Sequence, residues 1–270
     1  IGEMKGSGYD AELGVRLVSS VLTWSSTLNF SKNLSKVTDY QGASERASFY
    51  TSNTGKRMNP REGLSPYPVF AYRFAGLEGQ TGDPQGFLNN EPSIDYRKLL
   101  ADSVNRLHYF GSSMAPYFGS WRNALGIKKF LLSFLISYKF GHFKQSETIN
   151  YSALFNSYVG HPDFEDRWRQ PGDESETTIP SMKYPANTNR DKFYAESEPN
   201  IFRADFIRLQ DISLSYPLDI KLGNKITKMT ITGHVNNAGV LWKRNKKGID
   251  PENYPIPASR HFGLSVRLLY

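Results

Sequence analysis

Five histidines, at 108, 142, 161, 234 and 261, are the first residues to weigh for metal or acid–base chemistry. No two stand four apart, so no helix face would offer a pair of imidazoles to one ion. The acidic runs Asp173-Glu174-Ser175-Glu176 and Asp163, Glu165, Asp166 lack the glycine and ligand spacing of a calcium loop, and they read as solvated charge. Gly6-Ser7-Gly8 lacks the rest of a dinucleotide-binding turn and leads into a strand pattern, so turn formation explains it. Gly111-Ser112-Ser113-Met114-Ala115 has no strand-then-helix surround of the kind that presents a serine nucleophile. The 270-residue chain has no cysteine, which removes disulfides, thiolate zinc, iron–sulfur clusters and a cysteine nucleophile together. The residues support no reaction, no metal site and no cofactor; the expectation is a protein that is not an enzyme.

Aromatic side chains are the more useful candidates, with 17 Phe, 16 Tyr and 4 Trp making 14% of the chain. Trp168, Tyr184, Phe193, Tyr194 and Trp242 fall outside the regular patterns, in expected loops. There they could stack on sugar rings or peptide side chains, cap the packing of their own loops, or meet a partner. Trp168 and Trp242 are the substrate-binding candidates. The net charge is +7, and the densest basic run, Trp242-Lys243-Arg244-Asn245-Lys246-Lys247, sits among Gly, Asp and Pro. That context reads as a solvated loop, with no nucleic-acid partner.

The elements that would position these residues are strands. Tyr9, Ala11, Leu13, Val15 and Leu17 alternate with Asp10, Glu12, Gly14 and Arg16, a period of two with one apolar face. Leu22, Trp24, Leu28 and Phe30 continue the pattern, as do Phe130, Leu132, Phe134, Ile136, Tyr138 and Phe140. Met229, Ile231 and Val235 mark a further strand, and the chain ends on Phe262, Leu264, Val266, Leu268 and Tyr270. Ile207 and Leu209 are out of phase with Ile212, Leu214 and Tyr216, which a β-bulge at Gln210-Asp211 would reconcile.

The mean hydropathy of −0.52 excludes a bundle of membrane helices. The longest apolar run, residues 130–136, is far below the roughly 18–20 residues of a spanning helix. A transmembrane β-barrel escapes that test. Several alternating runs reach roughly 9–12 residues, the length that crosses a bilayer at a tilt. Connections at 18–21, 128–129 and 217–225 are short, whereas 34–66, 142–202 and 239–259 are long. Short turns on one side and long loops on the other suit an outer-membrane barrel, with a soluble β-sandwich that binds glycans as the alternative. On that layout Trp24, Phe118, Tyr138 and Tyr270 are girdle residues at the lipid interface. Strand parity then requires a short ascending strand at 85–89 between descending runs at 67–77 and 116–128, giving about nine strands. Nine is odd and describes an open arc.

Several stretches resemble SusC/RagA-type TonB-dependent transporters. They are Ile1-Gly2-Glu3-Met4 with Gly8-Tyr9-Asp10-Ala11-Glu12-Leu13, and Phe70-Ala71-Tyr72-Arg73-Phe74-Ala75-Gly76-Leu77 with Thr81-Gly82-Asp83-Pro84-Gln85-Gly86. Asp166-Arg167-Trp168 and Phe206-Ile207-Arg208-Leu209-Gln210-Asp211 through Tyr216-Pro217 are similar as well. So is the ending: Asn236-Asn237-Ala238, Gly248-Ile249-Asp250-Pro251-Glu252, Tyr254-Pro255 and a last strand closing on an aromatic. The loop at Leu241–Asn245 is more basic than the family pattern.

The resemblance implies an all-β, antiparallel transmembrane β-barrel segment with long extracellular loops. Residues 1–270 would be the C-terminal portion of the barrel domain, with the plug and the TonB-contacting segment lying outside them. It implies import of a large nutrient, oligosaccharide or peptide, across the cell outer membrane in a SusCD-like complex. The implied partners are a SusD-like surface lipoprotein, TonB through the N-terminal part, outer-membrane lipid, and the barrel assembly machinery. That machinery would read the terminal strand Phe262, Leu264, Val266, Leu268 and Tyr270.

Overall fold

The computed structural model describes residues 2–222 and 225–269. Its first half runs β1 (Gly2–Val18), β2 (Leu22–Tyr40), α1 (Ala47–Thr51), β3 (Pro68–Ala71), β4 (Phe74–Leu77), β5 (Pro84–Leu88), β6 (Glu91–Ser93), α2 (Tyr96–Ala101), β7 (His108–Ser112), β8 (Tyr117–Ile127) and β9 (Phe130–Phe140). There follow β10 (Phe143–Gln145), α3 (Tyr151–Ser157), α4 (Thr188–Ala195), β11 (Ile201–Arg203), β12 (Phe206–Leu222), β13 (Lys225–Lys243) and β14 (His261–Leu269). These elements form two compact units.

One unit carries most of an antiparallel sheet of seven strands, in the order β1-β2-β8-β9-β12-β13-β14. Directly paired residues point to the same face, so the register decides which side each strand shows. Ile231 pairs with Val266 and Val235 with Phe262. Leu214 pairs with Leu132 and Ile212 with Phe134. Leu132 pairs in turn with Leu125, and Leu125 with Trp24. One face is therefore mainly apolar from β2 to β14, with Ser26, Lys32 and Asn123 among its polar members. The opposite face carries Asn29, Ser133, Lys139, Asp211, His234 and Arg267, by the same pairings.

The expected bulge is present. Both ladders of β12 shift register between Leu209 and Asp211, and the Gln210 amide reaches Ser137 Oγ at 2.7 Å. The antiparallel all-β class also holds, with two corrections of detail. The sheet has seven strands, not about nine. The runs at 67–77 and 85–89 do pair antiparallel, as β4 with β5, but in a separate three-stranded sheet. Their pattern failed as a guide because β3 is buried on both faces, a core strand and not a half-wet one. Phe118 pairs with Ser31 and Lys139 on the polar face, so it is no member of the apolar girdle. β12 also runs through Pro217, where a stop is the natural reading. Its pairing with β9 ends at Ser215, so a missing donor beyond that point costs little.

The second unit comprises mainly residues 35–114 and 142–203, the two longest connections of the sheet. Both fold. Asp95, Asn150 and Asn187 cap α2, α3 and α4 through their side-chain oxygens. Their apolar residues build one cluster of Ala47, Tyr72, Tyr96, Leu99 and Phe193 and another of Tyr50, Phe70 and Val104. Phe193 and Tyr194, weighed above as loop aromatics, are buried here.

Gly86 is packed tightly into that core, since a Cβ there would lie 2.6 Å from Phe193 Cζ and 2.7 Å from Leu99 Cδ2. Gly86→Ala is expected to cost about 1–3 kcal/mol by overpacking. Hydrogen exchange should quicken in α2 and α4 and stay unchanged in the β12–β13 ladder.

Candidate functional site

The turn between β4 and β5 is wound on Glu78, whose Oε2 accepts the amides of Gln80 and Thr81 at 3.1 and 2.7 Å. Gly82 follows with φ +67°, and a Cβ on it would fall 2.4 Å from the Trp168 ring. Only glycine meets both demands. Trp168 consequently packs against the turn with 7% of its surface exposed, and its Nε1 donates to Glu174 Oε2 at 3.0 Å. Beside this contact lies a cleft of about 480 Å³, bordered by Arg167, Trp168, Arg169, Lys183, Gln80 and Thr81 among others.

An ion cluster fixes one wall. Asp83, from the same turn, accepts Arg190 Nε at 2.5 Å and Lys183 Nζ at 3.0 Å. The Arg190 side chain is 3% exposed, and its guanidinium also donates to Ser181 O at 2.9 Å. Burial opposes ionisation of Asp83, but the Lys183 hydrogen bond and the charge of Arg190 outweigh it and hold the carboxyl below its usual range.

The sheet-bearing unit has its own buried cation. Arg208, on the polar face of β12, is 1% exposed. It binds both carboxylate oxygens of Asp250, reaches Asn237 Oδ1 at 2.5 Å and has its Nε 3.1 Å from Glu252. Lys139 also donates to Glu252, at 2.8 Å. Burial again opposes ionisation of Asp250. The hydrogen bond from Arg208 and the amides of Glu252 and Asn253 prevail, keeping the group below the usual carboxylate range.

Of the residues singled out from sequence, Trp168 lies at the cleft, almost covered. Trp242 is on β13, 44% exposed, with its ring 6.2 Å from that of Phe140. The two tryptophans belong to different units and different surroundings. Tyr184 is exposed and edge-on to Phe155. Phe262, Leu264, Val266 and Leu268 lie on the apolar face of β14; Tyr270 lies outside the described residues. Sequence reasoning missed Arg167, Arg169, Lys183, Arg190 and the Arg208 cluster. A cation on the polar side of an alternating strand was a signal for Arg208. Nothing local marks Arg190, whose partner is 107 residues away. Among the described residues no group of three or more metal-ligating side chains converges.

Asp83→Asn leaves Arg190 buried without its carboxylate, so a loss of about 3–5 kcal/mol is expected in the unit that holds the cleft. The acid dependence has a definite sign. Asp83 is ionised more readily folded than unfolded, so its stabilisation is present above the unfolded pKa of about 4 and lost as pH falls further. An acid titration followed by hydrogen exchange should show that loss in the parent and not in Asp83→Asn.

Comparison with known structures gives the fold a precedent. A chain of the RagAB peptide importer in the "open-open" state superposes with a TM-score of 0.70 at 19% identity, over 100% of this chain and 29% of that one. The RagAB peptide transporter gives 0.69 at 18% identity, over 99% and 29%. The importer in the "closed-closed" state gives 0.67 at 19%, over 99% and 30%. This chain thus spans under a third of the length of those chains. No protein-family model and no curated protein sequence matches it. At this identity the likeness establishes the fold, an antiparallel sheet of the kind found in barrel-type transporters.

Proposed function

We propose that this chain forms part of the barrel wall of a TonB-dependent outer-membrane importer for a large nutrient. The observation that carries the reading is the apolar face that continues through the paired strands from β2 to β14. Along it Leu264 and Phe262 are each 75% exposed, and Leu28 and Trp121 remain 39% exposed. Water would penalise such a surface, at about 25 cal/mol per Å² of apolar area, whereas lipid would cover it. A glycan-binding sandwich would bury that face under a second sheet, and these exposures speak against it. The likeness to RagAB chains over the whole of this chain supports the same reading.

On this proposal the polar face lines the transport path, and the folded connections 35–114 and 142–203 dock a SusD-like lipoprotein. TonB and a plug act from other parts of the full-length protein, and no catalytic step is assigned. A peptide is the favoured cargo, since the structural neighbours are peptide importers. Uptake of labelled peptides and oligosaccharides by cells carrying the full-length parent tests this directly. Peptide uptake should vanish when TonB is removed. A chain that is monodisperse and binds glycans without detergent would support the sandwich instead.

The faces are testable by one pair of variants. Leu264→Arg, placing a charge on the apolar face, should destabilise the full-length barrel by about 2–4 kcal/mol in a folding titration in lipid. Ser265→Arg, one residue on and paired with Thr232 on the polar face, should cost much less.

A further inference from the structure

Resting on the importer reading, we propose that the cleft at Arg167, Arg169 and Lys183 binds a carboxylate group of an extended peptide. Arg167 and Arg169 flank the buried Trp168 and are already held in place. Arg167 Nη1 donates to Phe164 O at 2.6 Å, with the guanidinium 3.8 Å from the Phe164 ring centroid. Arg169 Nη2 donates to Glu165 O at 2.6 Å. Each bond occupies one of five guanidinium N–H donors, leaving the fork that grips a carboxylate with two parallel bonds. Neither arginine has a carboxylate partner among the described residues.

Three acids of the same segment are engaged elsewhere. Asp163 accepts from Thr148 at 2.6 Å, and Asp173 from the amides of Arg169 and Gln170 at 2.9 and 3.1 Å. Glu174 takes the Trp168 and Gly172 donors. Lys183 shares its one acid, Asp83, with Arg190. Among the described residues none that borders the cleft is acidic, and of its three cations only Lys183 has a carboxylate partner, Asp83, which Arg190 shares. Its volume of about 480 Å³ suits a short stretch of ligand.

Peptide is favoured over an acidic sugar by the walls. A sugar ring would gain from stacking on an open aromatic face, and Trp168 is covered. Met182, 49% exposed at the cleft, offers an adaptable apolar contact for side chains.

The test is a binding titration on the detergent-purified full-length parent. The probes are a short glutamate-containing peptide, its Glu→Gln analogue, its C-terminal amide and an oligosaccharide of uronic acids. Neutralising the recognised carboxylate should weaken binding about tenfold or more. The analogue that loses affinity tells a side-chain carboxylate from the chain terminus. The double variant Arg167→Gln, Arg169→Gln should erase the difference between acidic and neutralised peptides. Should it fail to assemble, Arg169→Lys, which keeps the charge and removes the fork, should shrink the difference. Equal affinities for charged and neutralised peptides, an undiminished preference in the variants, or tighter binding of the uronic oligosaccharide would each overturn the proposal. TonB-dependent uptake of the neutral peptide alongside any of these results would leave the importer reading standing. Absence of all peptide uptake would sink that reading, while the titration still decides the cleft.

Discussion

Side chains along a strand alternate faces, so an unbroken β12 would set Leu209 and Ile212 on opposite sides of the sheet. Gln210 is left out of both ladders, and the two halves of the strand then agree. Leu209 keeps its place opposite Ile136, and Ile212 opposite Phe134, on one continuous apolar face. Without that extra residue, either the upper or the lower half of β12 would turn its polar residues outward. The same displacement leaves Arg208 on the polar side, opposite Ser137, where the 248–252 turn can reach it. The bulge is the constraint on which both the apolar wall and the buried arginine depend.

Arg208 and Arg190 solve one problem in two different units. A guanidinium cannot be buried at acceptable cost unless its charge is matched and its donors are occupied. Each is matched by an aspartate from a distant turn that is itself pinned by backbone bonds. Asp250 accepts the amides of Glu252 and Asn253, and Asp83 O accepts the Glu78 amide at 2.8 Å. Such pairs add little net stability over an apolar core. What they specify is which turn closes on which strand or helix.

Much of this was legible in sequence, and the limits have physical causes. The strands at 9–17, 130–140 and 262–268 could be read because one face is apolar and the other polar, and the bulge at Gln210-Asp211 followed from a break in that phase. β3 and β4 misled because local alternation carries no information about which sheet a strand joins. Gly82, Asp83, Trp168, Arg208 and Asp250 fell within separate stretches quoted for the family resemblance, but neither their grouping nor their contacts could be read there. Trp168 looked like an open ring and is a packing partner of Gly82. Partners separated by tens of residues meet through topology, which spacing along the chain does not encode.

The two long connections also had to fold for a reason of energy. Fixing a residue's backbone costs about 1–2 kcal/mol, a debt that a polar loop cannot offset. Residues 35–114 and 142–203 meet it with an apolar core in which Phe193 and Ala47 are fully buried. That core holds α4, α4 presents Arg190, and Arg190 fixes the turn at Asp83 against which Trp168 lies. Each step removes freedom from the two arginines that flank Trp168 before any ligand arrives. A ligand then pays less ordering entropy on binding. Among the described residues the buried Arg190 and Arg208 have carboxylate partners, and Arg167 and Arg169 at the cleft have only backbone carbonyls. Pairing organises the fold, and the unspent donors of Arg167 and Arg169 are what the fold leaves available for recognition.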